Sequence, residues 1–142
     1  MTPHAVKDIP SEDIVLFNKI KTAVSNLPDI DLGKDDKGRK ILFSCHILGR
    51  AIAKVFSLKY IDGYYYPNFS HTWLLTENGN LIDVYPVTTI GGPIMIVGSN
   101  RDHFYTAAYW LYKKKRLTGR GFGKWWFRRA VNKTVTELQK VI

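Results

Sequence analysis

The dipeptide Asn78-Gly79 stands between two β-prone runs, His71 to Thr76 and Leu81 to Val87. That arrangement is a strong hairpin signal and makes the middle of the chain antiparallel sheet. The flanks have a different period. Ser11-Glu12-Asp13 reads as an N-cap followed by first-turn acids, and Ile14, Phe17, Ile20 and Val24 form an apolar stripe that Pro28 closes. Residues 29–40 are a polar loop with two glycines. A second helix is expected from near Ser44 to about Ser57, with Ile47, Leu48, Ala51, Ile52, Val55 and Phe56 at helical spacing and Arg50 and Lys54 on the polar side. Leu58 to Tyr66 is β-prone, with Asp62-Gly63 reading as a turn or bulge. Gly91-Gly92-Pro93 breaks the chain before a short strand, Ile94 to Val97. Ser99 or Asn100 offers a cap for a third helix through Tyr112 that ends in Lys113-Lys114-Lys115-Arg116, and a last helix is expected from Lys124 to Val141. Helices, then strands, then helices give an α+β class with an antiparallel sheet.

The hairpin register decides what shares a face. A two-residue loop at Asn78-Gly79 pairs Leu74 with Asp83 and puts His71 on the opposite face. A three-residue loop, Glu77-Asn78-Gly79, pairs Trp73 with Asp83, and its third residue, which needs a left-handed conformation, is a glycine. His71 then lies diagonally from Asp83, about 7–8 Å away at the backbone, within reach of an imidazole and a carboxylate.

Cys45 is the only cysteine in the chain. With Ser44 as N-cap it becomes the first helical residue, where the helix dipole and free N–H groups favour a thiolate. Helical spacing places it on the stripe of Leu48, Ile52 and Val55, facing the interior or a cleft floor. A small buried apolar residue is the other role open to a lone cysteine. His46 lies about 100° away around the helix and is a poor candidate for its base. Together Cys45, His71 and Asp83 supply what thiol catalysis needs. A thiol near pKa ~8.5 is only a few per cent thiolate at neutral pH, a histidine takes its proton and later protonates the leaving group, and a carboxylate fixes the histidine's tautomer. The product is a thioester, resolved by water or an amine, with the Cys45 backbone N–H as an oxyanion donor.

Ser44-Cys45-His46, His71-Thr72-Trp73-Leu74 and Asn80 through Pro86 (NLIDVYP) resemble the transglutaminase-like branch of the papain-like superfamily. In that group the cysteine opens a helix, and histidine and aspartate follow in that order on adjacent strands. The short interval from His71 to Asp83 is similar to the leader peptidases of lasso-peptide maturation, and arylamine N-acetyltransferases share the order. The resemblance covers roughly residues 40–97. It implies a papain-like/transglutaminase-like fold, in which the helix carrying the cysteine packs on an antiparallel sheet carrying histidine and aspartate. It implies Cys45 as nucleophile, His71 as base and Asp83 as orienter. The implied activity is a cysteine hydrolase or acyltransferase acting on a peptide, protein or small amide or ester, with no cofactor. Two departures stand out. His71 comes only 26 positions after Cys45, and the oxyanion-side glutamine of papain-type proteases has no clear match, which leaves Tyr64, Tyr65, Tyr66 and His46 as candidates.

At 142 residues the chain has the length of one domain. The expected parts are an N-terminal helix and loop (1–40), a catalytic core (41–97) and basic C-terminal helices (98–142). The Tyr64–Phe69 stretch either lines the acyl-binding cleft or packs the core. The formal charge of +9 is uneven: Arg101 to Ile142 holds eleven Lys/Arg against two Asp/Glu, and the rest is balanced. The basic segment is a solvated helix face or a surface for an anionic partner. The alternative function is therefore a non-catalytic papain-like module that binds nucleic acid or an acidic partner. Gly119-Arg120-Gly121-Phe122-Gly123 lacks the lysine and hydroxyl residue of a phosphate loop, and Trp125, Trp126 and Phe127 suit base stacking or docking of the last helix. His4, His46 and His103 have no zinc spacing beside one cysteine, so no metal is expected. Neither a signal peptide nor a membrane span is evident, and the lone thiol fits a cytoplasmic protein.

Overall fold

A computed structural model describes residues 9–86, 91–98, 104–108 and 124–142. Helix α1 spans Ser11–Ser25 and α2 spans Cys45–Phe56. Strands β1 (Lys59–Tyr65), β2 (Phe69–Leu75), β3 (Leu81–Asp83), β4 (Ile94–Ile96) and β5 (Tyr105–Ala107) follow, and helix α3 spans Trp125–Val141. The strands form one antiparallel sheet in the order β4-β3-β2-β1-β5. The described residues are thus α+β, with three helices and a five-stranded antiparallel sheet.

Local chemistry accounts for the central elements. Ser44 caps α2 by accepting a hydrogen bond from the Ile47 backbone N–H, and Ser57 ends the helix in the left-handed region (φ 56°). The hairpin has the odd loop. Leu74 faces Ile82 and Leu75 faces Leu81. Thr76 and Asn80 close the loop through a 2.8 Å backbone bond, and Gly79 has φ +82°. This register puts Trp73, and with it His71, on the face of Asp83.

The sheet's faces differ. Leu74, Ile82 and Val84 join Ile20, Leu48, Ile52 and Leu138 in the main core beneath the helices. Ile61, Trp73 and Leu81 form a separate cluster on the other face. Helix α3 buries Phe127, Ala130, Thr134 and Leu138, a helical stripe, and so belongs to the core.

Several expectations are corrected. The N-cap of α1 is Pro10, with no side-chain cap, and Ser11 is the first helical residue. Asp13 is buried, accepting hydrogen bonds from Thr76, Asn78 and Asn80 of the hairpin loop. Asp62-Gly63 is neither turn nor bulge, because Gly63 pairs with His71 on one side and Ala107 on the other. Arg50 is buried against Asp62. Tyr105–Ala107, expected within a third helix, is an edge strand, so the segment 98–142 is not purely helical. The expected helix end at Lys113–Arg116, the 119–123 glycine loop, His4 and His103 lie outside the described residues.

Candidate active site

Helix α2 places Cys45 at its first position, half-buried. Its N–H is one of the helix-start donors with no intrahelical acceptor. Strand β2 supplies His71 and β3 supplies Asp83, both fully buried. The His71 Nε2–H bonds Asp83 Oδ2 at 2.8 Å, which leaves the Nδ1 side for Cys45, and the sulfur lies within hydrogen-bonding reach of His71. The structure thus brings Cys45, His71 and Asp83 into one cluster.

Two further donors hold Asp83. The Tyr105 hydroxyl donates to Oδ2 at 2.8 Å, and the Tyr85 backbone N–H donates to Oδ1 at 3.1 Å. Around them stand rings. Tyr65 meets His71 edge-on at 6.1 Å, and Trp73 and Tyr105 lie 6.1 and 6.3 Å from the imidazole. Tyr64, one residue from Tyr65 and on the opposite face, packs in the core instead.

Electrostatics follow this geometry. Burial pushes the Cys45 thiol up, but hydrogen bonds and charge from His46 and His71 outweigh it and bring the thiol to about 6. Burial works against a charged His71, but hydrogen bonds with Asp83 and Cys45 and their negative charge lift it to about 9. Between those values the stable state is a thiolate beside an imidazolium. Burial, with the Asp83 charge and bond, pushes the Tyr105 hydroxyl far above its usual range, so it remains a donor.

Sequence reasoning missed three contributors. Tyr105 sat in an expected helix. His46, a poor base by helical angle and one of four oxyanion-side candidates, bonds Thr72 Oγ1 at 2.6 Å and Ser70 Oγ at 3.2 Å and acts on the Cys45 sulfur. The Arg50–Asp62 pair behind it, at 2.6 Å, leaves no periodic trace in the sequence. The signal that could have found His46 is its place in the first helical turn, where side chains tilt toward the helix N-terminus. Among the described residues no cluster of His, Cys, Asp or Glu could hold a metal ion. Compared with known proteins, the chain matches no family model, and no curated protein or solved structure is significantly similar to it.

Proposed function

We propose that this protein is a cysteine-dependent hydrolase or acyltransferase with a papain-like/transglutaminase-like arrangement, acting on an amide or ester of a peptide, protein or small molecule. The observation that carries the reading is the Cys45–His71–Asp83 cluster, in which the thiol is drawn down to about 6 and the imidazole up to about 9. A group that is already thiolate at neutral pH is nucleophilic without further activation.

In this mechanism the Cys45 thiolate attacks the acyl carbon, and the developing oxyanion is met by the Cys45 backbone N–H at the helix start. The His71 imidazolium gives its proton to the leaving amine or alcohol, leaving a thioester on Cys45. His71 then takes a proton from water or an incoming amine, which attacks the thioester and frees the sulfur. Asp83 keeps the Nε2–H occupied, so Nδ1 carries the mobile proton throughout. No step calls for a cofactor. No described helix is long and apolar enough to cross a membrane, and a reducing, cytoplasmic setting would keep the thiol usable.

The test is mass spectrometry after exposure to activated acyl esters. Wild type should gain one acyl mass on Cys45 and Cys45→Ala none. His71→Ala should turn over ~10²–10⁴-fold more slowly. Turnover that survives Cys45→Ala would falsify the mechanism.

One observation favours the binding-module alternative. Trp125, 63% exposed at the start of the basic helix α3, carries the Arg129 guanidinium 4.4 Å above its ring, as a base-stacking platform would. Yet Arg129 also donates to the Lys34 carbonyl, Lys133 donates to the Asp31 carbonyl and Lys124 faces Asp36. These cations hold the 31–36 loop to α3, which supports a structural role. Steep loss of single-stranded nucleic-acid binding with rising salt would support the alternative.

A further inference from the structure

Phe43 stands two residues before the nucleophile and Tyr85 two residues after the orienter. Both keep large rings partly in water, 37% and 46% exposed, and the rings touch, with centroids 6.4 Å apart and planes at 46°. Packing of the core gives no reason to leave this pair at the surface. Apolar surface exposed beside a reactive group is where an apolar ligand binds.

Both rings are tied to the site. Ser44 is extended, at φ −143° and ψ 165°, so the side chains on either side of it, Phe43 and Cys45, leave the chain in the same direction. Leu42 and Ser44 line a cavity of about 320 Å³ that neither Phe43 nor Cys45 lines. Phe43 therefore shares its side of the chain with the half-buried thiol. Tyr85 is fixed from the other end, where its backbone N–H donates to Asp83 Oδ1 at 3.1 Å and Asp83 in turn holds His71. The ring contact joins the segment that leads into the nucleophile to the segment that leaves the orienter.

We propose that Phe43 and Tyr85 form the wall of an acyl-side subsite that selects acyl groups ending in an aromatic ring. The proposal rests on the thiol chemistry proposed above and names its substrate class. Aromatic groups are preferred to aliphatic ones because a third ring can meet tilted rings edge-on or offset, a gain beyond the area it covers. Phe43 and Tyr85 are specificity-determining residues and take no part in bond making.

The experiment compares kcat/KM for the p-nitrophenyl esters of acetate, hexanoate and hydrocinnamate, with mass spectrometry locating the acyl group. In each case the Cys45 sulfur bonds the acyl carbon, and p-nitrophenol leaves with the C–O electron pair and the His71 proton. His71 then takes a proton from water, whose oxygen bonds the acyl carbon while the C–S pair returns to sulfur. Wild type should prefer hydrocinnamate to acetate at least about ten-fold, with hexanoate between them. Phe43→Ala and Tyr85→Ala should each cut that ratio about three-fold or more, and Tyr85→Phe should keep it. A ratio near one, or hexanoate equal to hydrocinnamate, overturns the aromatic subsite and leaves the thiol chemistry standing. A ratio that survives both alanine variants does the same, as do rates that fall in step on all three esters, the mark of a merely structural role. No acyl mass on Cys45 from any ester overturns both readings. Independently of how the variants fold, hydrocinnamamide should slow iodoacetamide alkylation of wild-type Cys45 more than hexanamide does at the same concentration. Equal protection, or none, overturns the subsite.

Discussion

Asp83 Oδ2 accepts from two donors at the same 2.8 Å distance, the His71 Nε2–H and the Tyr105 hydroxyl. Each donor weakens the pull of that oxygen on the other. The consequence is a pH window that each partner sets differently. His71 is raised to about 9, so its imidazolium persists as pH climbs and is lost through that value; Cys45 is lowered to about 6, so its thiolate persists as pH falls and is lost through that value. The kcat/KM for a small ester should be bell-shaped, with limbs near about 6 and about 9. Asp83→Asn removes the negative charge that lifts His71 and should bring the upper limb down by about one pH unit or more. Tyr105→Phe removes the competitor for Oδ2 and should move that limb up by a few tenths of a unit. An unmoved upper limb in both variants would detach it from His71. Cys45, His71 and Asp83 were readable because a cap, a hairpin and a glycine fix their relative positions within short stretches of chain. Tyr105 and Asp62 were not, because their roles depend on strand pairing and helix contacts that no local period encodes.

At the scale of elements, α2 and the hairpin follow their local signals closely, and β5 does not. Tyr105-Thr106-Ala107 is a strand because the free edge of β1 pairs with it, from Gly63↔Ala107 to Tyr65↔Tyr105. Gly63 makes the close approach possible. A Cβ there would lie 2.8 Å from the Trp73 ring and 3.0 Å from Ala107 Cα, and would run into the Thr106 carbonyl oxygen. Gly63→Ala should therefore cost about 1–3 kcal/mol in urea unfolding, as overpacking does. Because the backbone that must yield carries Tyr105, its upper pH limb should shift in the direction of Tyr105→Phe. A variant as stable as wild type, with an unchanged limb, would mean that β5 does not hold Tyr105 on Asp83. The glycine's presence was plain in the sequence, but its reason was not, since a strand neighbour that forces a missing side chain looks the same as a turn until the pairing is known.

For the whole molecule, the decisive contact is α3 on α2. The sequence leaves the last helix two roles, docking on the core or base stacking, and the resemblance stops at about residue 97. The fold makes α3 a wall of the main core, the docking role. Leu138, fully buried, packs among Ile20, Leu48, Ile52 and Leu74 beneath the sheet. The same helix that supplies Cys45 at its first residue rests its body on this wall, so the stability of α3 and the placement of the thiol share one core. Leu138→Ala should cost about 2–5 kcal/mol, the range for a buried leucine that leaves a cavity, and this is a large part of the ~5–15 kcal/mol available to a domain. Leu138 belongs to the core beneath the sheet, apart from the His71–Asp83 face, so where the variant remains folded the lower limb of Cys45 alkylation should stay near about 6. Thermal unfolding followed by near-ultraviolet circular dichroism reads the first quantity and iodoacetamide kinetics below the melting transition reads the second. A Leu138→Ala protein with wild-type stability would show that α3 is not part of the main core. A displaced alkylation limb in a folded variant would show that α3 sets the thiol's environment directly, through α2, and not merely the stability of the fold that holds it.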